Sequence, residues 1–150
     1  MKLAQALANR ADCQRRIEQL RQRLVANAKV QEGEQPAEDP AALMAELQTA
    51  CSQLEDLVAR INLTNAQVVS DGESLTALLA RRDRLKLQVS VMRDFATSAS
   101  ATVMRGMRSE IKILSAVPVA PLQKQVDDLS KQLRELDDRI QELNWTCELL

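Results

Sequence analysis

Apolar residues in this chain recur at alternating spacings of three and four, the period of one face of an α-helix. Leu3, Ala6, Arg10, Cys13, Ile17, Leu20, Leu24 and Asn27 form the first such row. It predicts a helix over about residues 2–30, stopped by the polar stretch around Gly33 and Pro36. Asp39-Pro40 predicts the next start, with Asp as N-cap and Pro at a first-turn position whose N–H has no helical partner. Leu43, Leu47, Ala50, Leu54, Leu57 and Ile61 carry that row, and residues 62–72, with Asn, Thr, Asp and Gly, read as a loop. Leu75, Leu78, Arg82, Leu85, Val89, Met92 and Ala96 predict a third helix over about 73–96. Leu122, Val126, Leu129, Leu133, Leu136, Ile140 and Leu143 predict a fourth from Pro121. The expected fold class is all-α: two long antiparallel helical hairpins in a four-helix, coiled-coil arrangement, forming a single domain over residues 1–150.

The segment between the last two helices differs. Residues 97–102 favour neither helix nor core. Over 103–119, Met107, Ser109, Ile111, Ile113, Ser115 and Val117 alternate as on one face of a strand, so a short extended or hairpin segment is expected there.

The two halves resemble each other. Leu54, Leu57, Arg60, Ile61 and Asn65 align with Leu133, Leu136, Arg139, Ile140 and Asn144, at an offset of 79. Leu3, Ala6, Leu7, Ala8 and Arg10 align with Leu75, Leu78, Leu79, Ala80 and Arg82, at an offset of 72. The offsets differ by one heptad, which keeps both rows in register and suggests a repeat of 1–65 in 73–150. Charge follows the same plan. Residues 1–30 hold seven basic and two acidic side chains, whereas 31–58 hold seven acidic and none basic. Residues 73–120 carry a net +4 and 121–150 a net −3. Basic helices therefore precede acidic ones, and opposite flanks favour that pairing.

Composition narrows the function classes. Phe95 and Trp145 are the only aromatics, and there is no His. Narrow seams between long helices need Leu and Ala rather than large rings, and the commonest general base and metal ligand is absent. Cys13, Cys51 and Cys147 are too far apart for a zinc site. The carboxylate pairs Asp127-Asp128 and Asp137-Asp138 diverge by about 100° on a helix and cannot share a site. Glu32, Glu34, Glu38 and Asp39 lack the spacing of a calcium loop. No catalytic, cofactor or metal site is expected. Arg outnumbers Lys by 14 to 6, which suits phosphate, yet the net charge is −1 and no aromatic platform exists for bases, so nucleic acid is not an expected partner. Residues 1–10 do not read as a signal peptide, since Gln5 and Arg10 interrupt the apolar stretch, and no run reaches the roughly 18 apolar residues of a membrane span. A cytoplasmic protein that assembles as a homo-oligomer, using Leu7, Leu63 and Leu79 off the seams, is the expectation; other protein partners are not specified.

Arg10, Arg82, Asn65, Asn144, Trp145 and Glu110 stand out as candidates for register or interaction. Arg10 and Arg82 interrupt the apolar rows at equivalent places, near Asp12 and Asp83. Each either fixes register as a buried polar residue or lies at the seam's edge with its head in water. Asn65 and Asn144 are expected as left-handed helix caps, with Trp145 a packed anchor beside them; a ligand site at the hairpin ends is the alternative.

The stretch Asn27-Ala28-Lys29-Val30-Gln31-Glu32-Gly33-Glu34-Gln35-Pro36-Ala37-Glu38-Asp39-Pro40, with Arg60-Ile61-Asn62-Leu63-Thr64-Asn65, Ser109-Glu110-Ile111-Lys112 and Ile140-Gln141-Glu142-Leu143-Asn144-Trp145, resembles the septicolysin-like family of small bacterial proteins. The resemblance spans essentially the whole chain. It implies a cytolysin that damages membranes, after which the family is named. The residues fit a pore-former poorly, because the best lipid-entering stretch, 103–119, carries Arg105, Arg108, Glu110 and Lys112. A non-enzymatic oligomeric protein is therefore the first expectation, and a membrane-damaging cytolysin the alternative.

Overall fold

A computed structural model describes residues 1–101 and 112–150. The protein is all-α, with four long helices: α1 (Leu3–Ala26), α2 (Pro40–Gln67), α3 (Leu75–Ser100) and α4 (Val119–Thr146). A two-stranded antiparallel ribbon, β1 (Val69–Ser70) and β2 (Glu73–Ser74), joins α2 to α3. The chain divides into two compact units, Met1–Ser74 with Leu143–Leu150, and Leu75–Glu142.

In the first unit, α1 and α2 lie antiparallel. Cys13, Leu20, Leu43 and Ala50 are buried between them, with Ile17, Leu24, Leu47 and Leu54 packed against that cluster. These are positions of the two apolar rows. A fully buried leucine contributes about 1.5–3 kcal/mol, and the small Cys13 and Ala50 meet closely enough for Cys13 Sγ to donate to the Ala50 carbonyl at 3.0 Å. Charge crosses the same seam. Arg23 Nε donates to both carboxylate oxygens of Glu38, at 3.1 and 3.0 Å, and Arg16 pairs with Glu46 at 3.5 Å. Asp39 caps α2, its side chain accepting from Ala41 N at 2.9 Å, and Pro40 occupies the first helical position.

The structure corrects several boundaries. α1 ends at Ala26, four residues short of Val30, because Asn27 turns its amide back onto Arg23 O at 2.9 Å and its Oδ1 accepts from Glu38 N. α2 runs on through 62–67, which had read as loop. Thr64 is wholly buried and bonds the Arg60 carbonyl through its hydroxyl, so a helix-weak residue is held in helix by its surroundings. The turn falls at Asp71-Gly72, with φ of 52° and 82°. Two consecutive positive φ values make the hairpin turn that matches strand twist, pairing Val69 with Ser74 and Ser70 with Glu73.

In the second unit, Ala96 of α3 packs with Leu122 and Val126 of α4, and Met92, Ala99 and Val117 close around them. Arg93 Nη2 donates to Ser130 Oγ at 3.2 Å, which places α3 and α4 antiparallel. α3 continues through Thr97–Ser100, where neither helix nor core was expected; Ala99 packs on that cluster and Ser100 Oγ donates to Ala96 O at 2.6 Å. Of the segment 103–119 expected to be extended, 103–111 lie outside the described residues. Residues 112–118 pair with no strand among the described residues, and helix resumes at Val119. Ser115 there bonds Val117 locally, accepting from its N–H and donating to its carbonyl. The starts of α1 and α3 lie 72 residues apart, and α2 and α4 both start and end 79 apart, the offsets at which their sequences align.

Candidate functional site

Arg10 lies on the buried side of α1. Its Nε is shielded from solvent and has no hydrogen-bond partner among the described residues. Asp12, its expected neighbour in charge, pairs instead with Arg15 one turn on. Arg82 is half-buried and holds Asp83 through Nε and Nη2, at 3.1 and 2.9 Å. The two arginines therefore occupy equivalent places, and of the two it is Arg82 that holds its neighbouring aspartate.

Asn65 and Asn144 are not helix caps. α2 continues past Asn65 to Gln67, and α4 past Asn144 to Thr146; among the described residues Asp71 is the only non-glycine with positive φ. Burial decides this, since Thr64 and Asn144 sit inside, and a left-handed residue there would turn the chain away from them. Trp145 is not a packed anchor either, being 64% exposed. Glu110 lies outside the described residues. Of the three off-seam leucines, Leu7 and Leu79 are half-buried and Leu63 is exposed.

Sequence reasoning missed a clasp within the first unit. Leu3 N donates to Cys147 O at 3.0 Å, and Leu149 N to Met1 O at 2.8 Å, so Lys2 and Glu148 face each other as an antiparallel bridge. Lys2 Nζ reaches the Glu148 carboxylate at 2.7 Å and the Thr146 carbonyl at 2.8 Å, while the Met1 amine pairs with Glu148 at 3.0 Å. The hydrogen bond from Lys2, then that from the Met1 amine, holds the Glu148 carboxyl below its ordinary range. Leu150 completes the clasp, its N–H donating to Thr64 Oγ1 at 3.1 Å and its carbonyl accepting from Arg60 Nε at 2.7 Å. Backbone donors and acceptors carry most of these bonds, and side-chain spacing along a sequence does not report them.

An open groove of about 820 Å³ runs along α1 and α2 in the same unit. Asn9, Asp12 and Arg16 line one wall and Gln48, Ser52 and Asp56 the other. Its charges are already engaged, Asp12 by Arg15, Asp56 by Arg60 at 3.6 Å and Arg16 by Glu46. Among the described residues no group of three His, Cys, Asp or Glu side chains could hold a metal ion, and no helix is long and apolar enough to cross a membrane. The exposed apolar side chains are more distinctive. Leu87, Val91 and Phe95 stand outward on α3, with Ile113 and Leu114 exposed in the same unit.

Residues 10–149 match a family described as a family of unknown function (DUF6847). The chain belongs to that family. It is also similar to a solved protein, whose structure is described as the crystal structure of a functionally unknown conserved protein from Corynebacterium diphtheriae. The two chains are 41% identical over 100% of this chain and 99% of that one, with a TM-score of 0.92. No curated protein matches this chain significantly. The solved protein thus shares the fold across essentially the whole length, and neither description assigns chemistry.

Proposed function

We propose that this protein is a non-enzymatic helical scaffold of coiled-coil character that acts by docking, first of all onto further copies of itself. One observation carries the reading: large apolar side chains stand exposed on the helices, at Leu87, Val91 and Phe95 of α3 above all. Aligned apolar surface of this kind marks contact sites. The net charge of −1 and the engaged arginines of α1 favour a protein partner over nucleic acid. Light scattering on the purified full chain at micromolar concentration tests this: a mass above 16.7 kDa is expected, and a strictly monomeric one overturns it.

A second reading, membrane damage, follows from the resemblance to septicolysin-like proteins. It is favoured by one feature of the second unit, the exposed Phe95, Ile113 and Leu114 around a pocket of about 450 Å³. Such a cluster suits insertion among lipid headgroups. Dye release from anionic liposomes checks it: efficient leakage supports the cytolysin, and intact vesicles rule against it.

A further inference from the structure

We propose that the outward face of α3 is a self-complementary docking surface for a second copy of this chain, the two α3 helices running antiparallel about a two-fold axis at Val89. The proposal rests on the self-association put forward above and names its surface.

The inner row of α3 is Leu75, Leu78, Arg82, Leu85, Val89 and Met92, followed by Ala96 and Ala99. Moving each position on by two residues rotates it by about 200°, onto the opposite side of the helix. The row found there, from Ala77 through Leu87 and Val91 to Ser98, is exposed throughout. Its members are Ala77, Ala80, Arg84, Leu87, Val91, Asp94 and Ser98, so two large apolar side chains stand at its centre between an arginine and an aspartate. Leu87 is 69% and Val91 58% exposed.

The bare row matches itself when reversed. With the axis at Val89, Leu87 of one copy meets the partner's Val91, and Val91 meets the partner's Leu87. One layer out, Arg84 faces the partner's Asp94 at both ends, and beyond it Ala80 faces the partner's Ser98, both small enough for close approach. An isologous interface requires this reciprocity: residue i contacts j, and j contacts i. The flanks are compatible too, since Asp83 faces the partner's Thr97 and Phe95 the partner's Arg81, so no like charges oppose. A parallel arrangement would stack Arg84 on Arg84 and Asp94 on Asp94, so charge selects the antiparallel one.

Both charged residues are available for this. Asp94 has no ion pair within its own chain among the described residues. Arg84 Nη1 is engaged only by the neutral Gln88, at 2.7 Å. With two central Leu–Val layers and a Phe95 at each end, the contact belongs at the small, weak end of interface classes, so the micromolar range is where association is to be read.

Sedimentation equilibrium of the full chain across the micromolar range tests the surface. The wild type is expected to rise from 16.7 kDa toward twice that mass. Leu87→Glu should hold the chain at the monomer with its helical circular dichroism unchanged. Arg84→Asp and Asp94→Arg should each weaken the dimer by about tenfold, each placing two like-charge pairs across the axis. The double variant should recover wild-type association, because swapping the charges restores both pairs. A dimer indifferent to Leu87→Glu overturns this surface while leaving self-association standing. A wild type that stays monomeric throughout overturns both. A double variant no tighter than the singles overturns the antiparallel register. A monomer that binds anionic vesicles, and loses them on Leu87→Glu, assigns the face to lipid and overturns the second copy as its occupant.

Discussion

The two hairpins follow one plan and finish it differently. In α1 and α2, ion pairs from Arg23 to Glu38 and from Arg16 to Glu46 bridge the helices beside the buried row, and the exposed apolar residues, such as Val25 and Met44, are scattered. In α3 the exposed apolar residues are aligned, at Leu87, Val91 and Phe95. Scattered exposed apolar side chains are normal for any soluble surface, whereas the aligned ones are the surface proposed above for docking. The lesson is that a leucine row marks the buried stripe, while apolar residues off the row need the structure to show what surrounds them. On α3 the continuous apolar row is the buried one, while Leu87, Val91 and Phe95 stand exposed on the side away from it.

The contrast can be broken most sharply in the core of the first hairpin. Leu20→Ala, at a side chain 1% exposed, should cost about 2–5 kcal/mol in urea unfolding, through lost burial and the cavity left behind. Leu87→Ala, although it removes the same atoms, should move the midpoint of the dilute monomer by no more than about 0.5 kcal/mol. Equal losses at the two sites would show that the outer row of α3 is covered within the protomer.

The clasp of the first unit provides the next effect in size. Thr64→Val keeps the shape but removes the acceptor for Leu150 N–H and the donor to Arg60 O. A loss of about 1–3 kcal/mol is expected, read as faster amide exchange at Leu150 together with a lower unfolding midpoint. Unchanged exchange at Leu150 would show that the hydroxyl does not hold the chain end.

Acid should act last and least. Hydrogen bonds from Arg23 hold the Glu38 carboxyl below its ordinary range, and those from Lys2 and the Met1 amine do the same for Glu148. A carboxyl depressed on folding adds stability above its unfolded value, and that stability is lost as pH falls through the folded one. Stability should therefore stay flat near neutrality and decline in the acid range below the ordinary carboxylate value. Glu38→Gln combined with Glu148→Gln should flatten that decline. Both groups are exposed to solvent, so the effect is small and salt should reduce it further. A decline that is unchanged in the double variant would assign it to other carboxylates.

Much of this protein was legible in its residues. Local rules act over three or four residues, and they located the four helices, the Asp39-Pro40 start and the Leu20–Leu43 core. Those rules concern period, capping and the backbone limits of Gly and Pro, which a chain carries wherever it is placed. They misjudged 62–67 and 97–100 because Thr, Ser and Asn are weak helix formers in isolation, and their burial or back-bonding in α2 and α3 was not visible locally. The Asn65 and Asn144 caps failed for the same reason. Tertiary structure alone decided that Arg10 Nε is sealed from water, that Trp145 faces outward and that Lys2 meets Glu148. Each depends on what lies across from a residue, a relation between distant parts of the chain that no short window of sequence contains.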